Sequence, residues 1–441
     1  MIPKSWKALQ PIVKAGSRSL TTSDLHRQLK KPILVTQSST LQKKINYYAI
    51  EPKNEPTIGT LMKESRSRDK NKLVRSCQFM HREFLVRISK VIIHLQNLPY
   101  LLLTNEDIKR VLDLYMYAFT DMLHQPKIQN IGDVDKFNET LSGLLDDLQD
   151  ILLILSRGIH DSQPHFKSED FNGTVQKIMD YITINRLCNR ILARHHLSTH
   201  ITREGYISVV NTELSLKKII NKNAAFAANV CQNVYMDTLP EVLIDGHADT
   251  RVAFIPNIID YILREILKNS FRATVEANLH KVDKPPIICT ICNTPDFWTI
   301  RYVDKPPIIC TICNTPDFWT IRYVDKPPII CTICNTPDFW TIRVSDRGTG
   351  MTEEVLKQVE NYCYTSFKQE QQYSHAFGDL VSVAGQDQGS SLAGFGVGIP
   401  VSKAYVKFVG GKLEFQTMPG IGTDVYIKIP QLSMMLDNVR I

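Results

Sequence analysis

Between residues 70 and 200, apolar side chains recur every three or four positions, which is the period of an amphipathic α-helix. Four such runs follow one another, and each predicts a long helix. Their apolar positions extend from Leu73 to Leu95, from Ile108 to Met122, from Leu141 to Ile159 and from Val175 to His195. The first run stops before Leu98-Pro99, and a Thr104-x-x-Asp107 cap opens the second. Four consecutive amphipathic helices most simply pack as a four-helix bundle, here predicted over residues 66–210.

The pattern changes after residue 211, where helical runs alternate with short apolar runs typical of strands. Helices are predicted at 215–232, 258–278, 353–362 and 399–409, and strands at 242–244, 413–416 and 424–429. The sequence therefore predicts an α + α/β protein, in which the helical bundle is followed by an α/β sandwich over residues 211–441. Residues 31–65 are mixed and contain proline, and we predict a mostly irregular lead-in there.

An unchanged repeat interrupts the α/β segment. Residues 282–302 recur at 303–323, and the unit begins a third time at 324–343. Each copy contains two apolar, β-branched runs separated by Asn-Thr-Pro-Asp, which predicts a β-hairpin. The third copy runs directly into Asp346, so its hairpin should enter the main sheet, while copies one and two (282–323) form an excursion. Old repeats diverge outside their core positions, so full identity indicates a recent duplication or an error in the gene model.

Paired cysteines in the repeats suggest a zinc site as an alternative. Cys289 and Cys292 are followed, after 17 intervening residues, by Cys310 and Cys313, a spacing typical of zinc ribbons. However, cysteines three positions apart in a strand point to opposite faces and cannot both bind one metal ion. Because Thr-Ile between the cysteines favours a strand, we prefer the hairpin interpretation.

The N-terminal residues have the composition of a mitochondrial transit peptide. They are basic and rich in Ser and Thr, with no acidic residue before Asp24. We therefore predict a transit peptide over residues 1–30, with a disordered basic tail as the alternative.

The net charge of +7 is a mild excess, and no apolar run reaches the roughly 18 residues of a membrane span. Neither a nucleic-acid partner nor a membrane span is expected.

Four short motifs in the C-terminal half predict nucleotide chemistry. They are Glu265-Ile-Leu-Lys-Asn269 on a helix, Asp346-Arg-Gly348-Thr-Gly350 after a strand, and the glycine motifs Gly394-Phe-Gly396-Val-Gly398 and Gly420-Ile-Gly422-Thr423. An Asn oxygen can hold Mg²⁺, an Asp can accept the adenine amino group, and glycines let backbone N–H groups approach a triphosphate. A single glycine pair could be an ordinary turn. The ordered set predicts an ATP pocket of the gyrase, chaperone and histidine-kinase type.

Other nucleotide pockets do not match the sequence. The chain contains no G-x-x-x-x-G-K-[ST] phosphate loop and none of the H-R-D or D-F-G motifs of eukaryotic kinases. Residues 394–398 read G-x-G-x-G rather than G-x-G-x-x-G, which argues against a dinucleotide site.

Three segments resemble the mitochondrial α-keto acid dehydrogenase kinases: residues 264–276, 394–405 and 420–426. Members of this family have a histidine-kinase-like ATP fold but phosphorylate serine, and the resemblance extends over about residues 40–441. The branched-chain members are more similar than the pyruvate-directed ones. The latter have a His where this chain has Tyr261, and they end in Asp-Trp, whereas this chain ends Leu-Asp-Asn-Val-Arg-Ile441.

The resemblance implies a role for each motif residue. Glu265 is the expected general base, Asn269 the Mg²⁺ ligand and Asp346 the acceptor of the adenine amino group. The other residues implied to bind ATP are Lys268, Arg272, Gly348, Gly350, Thr365, Ser366, Gly394, Phe395, Gly396, Val397, Gly398, Ile399 and Thr423. Mg-ATP is the implied nucleotide, and K⁺ is allowed as a second ion. The chain departs from the family at Thr349, where Gly is usual, and at Val397, where Phe is usual.

Two other interpretations remain for these charged residues. Glu265 could be an ordinary surface partner of Lys268 or Arg272, and both cations could form solvated salt bridges.

Residues 368–393, rich in Gln, Ser and Gly, are expected to form a mobile lid over the nucleotide. A phospho-histidine at His195 is the weaker interpretation, because His195 continues an apolar helical stripe.

The resemblance implies a serine kinase of the mitochondrial matrix. Its substrate would be the decarboxylase subunit of the branched-chain α-keto acid dehydrogenase complex, which phosphorylation inhibits. The lipoyl-bearing core of that complex is the implied docking partner, and a homodimer is the implied assembly. The alternatives are a pyruvate dehydrogenase kinase, an ATP-gated conformational machine, and a scaffold whose pocket the repeats have impaired.

Overall fold

The computed structural model describes residues 39–65, 70–166, 168–198, 203–236, 239–240, 242–246, 249–279, 338–365 and 396–441, together with five strands of the repeats. The predicted transit peptide (1–30), the predicted lid (368–393) and three predicted ATP-binding residues lie outside these ranges. Those three residues are Ser366, Gly394 and Phe395.

Helices build the N-terminal half of the described chain. They are α1 (Ser39–Ile50), α2 (Ile58–Glu64), α3 (Lys70–Gln96), α4 (Tyr100–Leu103), α5 (Glu106–Leu123), α6 (Ile131–Asp147), α7 (Ile151–Ser162) and α8 (Ser168–Ser198). Helix α3 packs against α5 and α8, and α7 packs against α5 and α8, so these four helices close a bundle around an apolar core. The predicted helical bundle is confirmed.

Three local predictions in this half were wrong. The third apolar run is two helices, α6 and α7, separated at residues 148–150. Helix α5 is capped by Asn105, whose side chain accepts from the N–H groups of Asp107 and Ile108, and not by Thr104. The described part of the supposedly irregular lead-in contains α1 and α2. Its pattern was hard to recognise because α1 buries only Ile45 among the residues it contributes.

The described part of the α/β half contains three sheets and several helices. The elements are β1 (Tyr206–Ile207), β2 (Val210–Ser215), α9 (Leu216–Tyr235), β3 (Val242–Gly246), β4 (Arg251–Phe254), α10 (Pro256–Ala277), β5 (Ile287–Cys292), β6 (Phe297–Arg301), β7 (Ile309–Cys313), β8 (Trp319–Arg322), β9 (Ile329–Asn335), β10 (Phe339–Ser345), α11 (Glu353–Gln358), α12 (Gly398–Phe408), β11 (Lys412–Met418), β12 (Gly422–Pro430) and α13 (Leu432–Met435). The main sheet has the order β11-β12-β10-β9-β5-β3, and β1, β2 and β4 form a smaller sheet.

Helix α10 lies at the centre of this half. It packs against α9 and α12 and contacts β10. Its apolar face is fully buried at positions such as Ile262, Leu263 and Leu267, while Trp340 of β10 is 0% exposed and stacks edge-on against Phe254. This packing fixes the position of the Glu265–Asn269 motif relative to the sheet.

The third repeat forms the predicted hairpin and enters the main sheet. Strands β9 and β10 pair antiparallel, and β10 also pairs with β12, with Ser345 opposite Asp424. In the second copy, β7 and β8 likewise pair antiparallel. Asp346 therefore follows a strand that is hydrogen-bonded on both sides.

The first repeat differs from the prediction. Its strand β5 lies in the main sheet, parallel to both β3 and β9, and Ile287 is the register partner of Ile329. Its second strand, β6, pairs with β7 in a separate sheet, β6-β7-β8. The predicted excursion over 282–323 was therefore wrong at β5. Because β5 and β9 have the same sequence, β5 can occupy the position beside β3 that β9 would otherwise occupy.

Residues 37–441 form one unit. The C-terminal residues contact the helical half directly, since Ile58 N–H donates to Val439 O and Ile441 N–H donates to Pro56 O. The buried Arg87 guanidinium donates to Asn54 O and to Ile441 O and is paired with Glu83 at 2.6 Å.

In the part of the chain that the structure describes, no helix is long and apolar enough to cross a membrane.

Candidate nucleotide-binding site

Helix α10 presents two polar residues one turn apart with opposite exposure. Glu265 is buried, with 3% of its surface exposed, whereas Asn269 is exposed. Positions i and i+4 lie above one another on a helix. The motif therefore places an amide oxygen at an open surface and a carboxylate beneath it, one turn closer to the helix N-terminus.

The Glu265 carboxylate is held between a lysine and the first turn of α12. Lys268 Nζ lies 2.7 Å from Glu265 Oε1, and both side chains are buried. On the other side, a Cβ at Gly398 would collide with Glu265 Oε2, so a larger residue there would displace the carboxylate. Glu265 does pair with Lys268, but the surface location assumed in the alternative interpretation was wrong.

Arg272 has a different environment. Its Nε donates to Glu276 Oε1 at 2.8 Å, and the Tyr235 hydroxyl donates to the same oxygen. About a third of both charged side chains is exposed, as expected for a solvated salt bridge. The implied ATP contact of Arg272 stays a prediction.

Asp346 follows β10 and lies in a buried hydrogen-bonded turn. Its Oδ1 accepts from Gly348 N–H at 3.0 Å and from Thr423 N–H at 3.1 Å, and its own N–H donates to Thr423 O. Burial raises the pKa of Asp346 to about 6, although the two backbone N–H groups lower it. Both hydrogen bonds fall on Oδ1, so the lone pairs of Oδ2 are the ones that can accept an amino group from a ligand.

Glycines join the four motifs into one structure. A Cβ at Gly348 would collide with Ala273 of α10, and a Cβ at Gly422 would collide with Asp346 O. Gly350 has a φ of +66° and lies against Met418 O, a backbone conformation that favours glycine. Thr349 is exposed and does not have a positive φ, so a threonine is accommodated there without backbone strain.

The base of the predicted lid contacts both halves of the protein. Cys363 N–H donates to Gly396 O, and the Tyr362 hydroxyl donates to Asp180 of α8 at 2.9 Å. Val397, at the N-cap of α12, is fully buried and makes no side-chain cap bond. The N–H groups of the first turn of α12 can therefore stabilise a nearby anion. Ile399 is half-buried in this first turn, and Thr365 ends the described segment.

Sequence reasoning missed a buried ion pair next to Asp346. Arg343 Nη2 lies 2.6 Å from Asp424 Oδ2 across β10 and β12, with both side chains about 5% exposed or less. The Asp424 charge also contributes to the raised pKa of Asp346. A basic residue within the apolar β10 pattern was the available signal, but its partner 81 positions away could not be inferred from spacing.

The histidine cluster belongs to the helical core. His195 is 6% exposed, its Nδ1 lies 2.5 Å from Ser208 Oγ, and burial lowers its pKa to about 4. His196 is fully buried, with its ring nitrogens close to Ser76 Oγ and Asn138 Oδ1. These positions agree with the core interpretation and disfavour a phosphorylated histidine at His195.

The cysteines of the repeats lie within strands, as the preferred interpretation predicted. Cys289 and Cys292 both belong to β5, and their register partners in β9 are Cys331 and Cys334. Among the residues that the structure describes, no group of three or more His, Cys, Asp or Glu side chains could hold a metal ion.

Two family models match the chain. Residues 56–213 match the model described as mitochondrial branched-chain alpha-ketoacid dehydrogenase kinase, and residues 320–433 match that of the histidine kinase-, DNA gyrase B-, and HSP90-like ATPase. The first range spans the helical bundle, and the second contains Asp346 and both glycine motifs. Helix α10, with Glu265 and Asn269, lies between the two ranges.

Curated relatives match across both halves of the chain. A mitochondrial pyruvate dehydrogenase (acetyl-transferring) kinase of Arabidopsis thaliana is 24% identical over 83% of this chain and 87% of its own length. Kinase 1 of Saccharomyces cerevisiae is 24% identical over 76% and 73%, respectively. Isozyme 4 of Mus musculus is 21% identical over 81% and 77%. These alignments extend over both the bundle and the nucleotide site.

Proposed function

Because this chain belongs to the mitochondrial α-keto acid dehydrogenase kinase family and is an ATP-dependent protein kinase, we propose that it phosphorylates a serine of a decarboxylase subunit. The proposed complex is the branched-chain α-keto acid dehydrogenase complex of the mitochondrial matrix. Phosphorylation would inhibit that complex. The lipoyl-bearing core is the proposed docking partner, and a homodimer is the proposed assembly.

The buried Glu265 beside an exposed Asn269 is the observation that supports a kinase most directly. Phosphoryl transfer requires mainly positioning and charge stabilisation. In the proposed reaction Glu265 accepts the proton of the serine hydroxyl, the hydroxyl oxygen bonds to the γ-phosphorus, and the bond to the leaving ADP oxygen breaks. The exposed amide oxygen of Asn269 fits Mg²⁺, which neutralises phosphate charge when bound.

The adenine position is proposed at Asp346. Its Oδ2 is the oxygen free to accept the exocyclic amino group, while Oδ1 is fixed by Gly348 and Thr423. Thr423 itself is 9% exposed, and its Oγ1 lies 3.0 Å from Thr417 Oγ1. This contact holds the Thr423 hydroxyl at the end of β12 that also contacts Asp346.

The choice of target rests on the helical half and on one residue of α10. Its match to the branched-chain family model, together with Tyr261 in place of a histidine, supports the branched-chain complex. The names of the relatives favour pyruvate dehydrogenase as the second candidate. The helical bundle precedes the nucleotide site in the chain, an order that favours a kinase of this family over an ATP-gated machine.

Phosphate transfer from Mg-ATP to the two purified decarboxylase subunits tests the proposal. We expect faster incorporation into the branched-chain subunit than into the pyruvate subunit. The Glu265→Gln variant should lose at least about 10²-fold in turnover because the base is removed. Glu354→Gln, an identical change at an exposed position of α11, is the matched control and should retain full activity. Incorporation into neither subunit would support the scaffold alternative.

A further inference from the structure

Lys268 lies against the proposed base. Its ammonium is 2.7 Å from Glu265 Oε1, and the exposed fractions of the two side chains are only 7% and 4%. While the pair lasts, the ammonium lies against Oε1 and competes with a substrate hydroxyl for that oxygen. The pair therefore represents a state in which the base is masked.

The two partners differ in how firmly they are held. Glu265 has a second contact, because its Oε2 lies against Gly398 in the first turn of α12. That turn has no side-chain cap, and a helix N-terminus stabilises a carboxylate. Lysine, in contrast, is a compact charge on a flexible four-carbon stem. If the pair separates, Lys268 is the partner that can move while Glu265 stays in place.

The neighbouring residue shows where Lys268 can move. Asn269 follows it directly on α10 and is exposed at the proposed phosphate site. A triphosphate at Asn269 would lie within reach of the Lys268 stem and would offer several negative charges instead of one.

We propose that Lys268 is a positioning residue that exchanges partners, leaving Glu265 for the triphosphate when Mg-ATP binds and thereby releasing the base. This inference rests on the proposed function and adds a regulatory step to it. Glu265 then loses its counter-ion only when the phosphate donor is present, and the departure of the ammonium opens Oε1 to the substrate hydroxyl. The base becomes competent in the complex rather than in the free enzyme.

Mg-ATP affinity of four full-length proteins tests the exchange without any turnover: wild type, Glu265→Gln, Lys268→Met and the double variant. If ATP must break the Lys268–Glu265 pair, removing the Glu265 charge should tighten binding by roughly three- to tenfold. In the Lys268→Met background, the same change should alter affinity by less than about twofold. Equal tightening in both backgrounds would mean simple loss of a negative charge, and no tightening in either would mean a permanent pair. Each of these results overturns the exchange.

The outcomes also separate this inference from the proposed kinase activity. Full phosphate transfer by Glu265→Gln would refute the role of Glu265 as base, whatever its ATP affinity. Lys268→Met leaves a buried carboxylate unpaired and could fold poorly. The double variant removes both charges. Lys268→Arg keeps the positive charge, so the comparison of Lys268→Arg with Glu265→Gln/Lys268→Arg provides a second test of the tightening. There the tightening should persist, and its loss would contradict the exchange.

Discussion

At the scale of single residues, Asp346 combines a functional position with a cost in stability. Its pKa is about 6 in the folded protein, against an ordinary value of 3.8, because burial disfavours the charged form. The raised value means that the carboxyl is fully protonated below about pH 3.8 and loses its favourable contribution as pH rises through 6. At neutral pH its ionisation costs about 3 kcal/mol of folding free energy.

We therefore expect Asp346→Asn to be at least as stable as wild type at pH 7.5 and to lose that advantage as the pH falls toward 4. Asparagine keeps an oxygen for the N–H groups of Gly348 and Thr423 but has no charge to bury. Thermal unfolding across this pH range measures the effect. A variant less stable than wild type at pH 7.5 would show that the charge is compensated.

The same group predicts how nucleotide binding depends on pH. Only the ionised Asp346 can accept the adenine amino group with both Oδ2 lone pairs, so the dissociation constant for Mg-ATP should increase up to about tenfold per unit below pH 6. Isothermal calorimetry between pH 5 and pH 8 measures it. Asp346→Asn provides the baseline, because any pH dependence that it retains belongs to the nucleotide or to other groups.

Gly398 gives a prediction that depends on contact rather than on backbone strain. A Cβ there would collide with Glu265 Oε2, so Gly398→Ala should displace the base and lower turnover by at least about tenfold, with a smaller effect on ATP affinity. Gly143→Ala in α6 is the control, because no atom lies within 4 Å of its Cβ position. Unchanged turnover in Gly398→Ala would argue that Glu265 does not act from this position.

At the scale of elements, residues 361–365 connect the candidate nucleotide site to the helical bundle. Tyr362 bonds Asp180 of α8, and Cys363 N–H bonds Gly396 O beside α12. A change in α8 can therefore reach the glycine motif through these two hydrogen bonds and the peptide bond between Tyr362 and Cys363.

Tyr362→Phe should weaken this connection. We expect faster amide hydrogen exchange at residues 361–365 and a stability loss of about 0.5–1.5 kcal/mol, the usual value of one hydrogen bond. Exchange in α5, which makes no part of this connection, is the internal reference. If exchange at 361–365 stays unchanged, the Asp180 bond does not hold the segment.

The elements also show what the sequence can and cannot predict. Long helices such as α3 and α8 follow directly from apolar periodicity, and β10 and β12 follow from their β-branched runs. The break between α6 and α7 has neither Pro nor Gly, so periodicity continued across it. At the site, the motifs identified Glu265, Asn269 and Asp346, but the Lys268–Glu265 pairing state and the Arg343–Asp424 pair depend on packing that no short pattern records.

At the scale of the whole molecule, the repeats allow a deletion that removes two copies and leaves the third in place. Copies one and two are identical, and copy three matches their first 20 residues, so deleting residues 282–323 leaves one unit, 324–343, in its present connection to Val344. The remaining strand matches β5 residue by residue. It can therefore pair with β3 in the register now seen between Val242 and Ile287 while it keeps its hairpin with β10.

We expect this deletion to keep Mg-ATP affinity within about twofold and to raise solubility. A longer connection costs only about 0.6 kcal/mol per doubling of length, so the extra copies do not destroy the sheet. They do add the strands β6 and β8, which both contain Trp-Thr-Ile-Arg and are the edges of a separate small sheet, and apolar edge strands favour aggregation. Deleting only residues 282–302 should give intermediate solubility, because one extra copy remains. Loss of nucleotide binding in either deletion would show that β5 is a required strand of the sheet rather than a duplicate of β9.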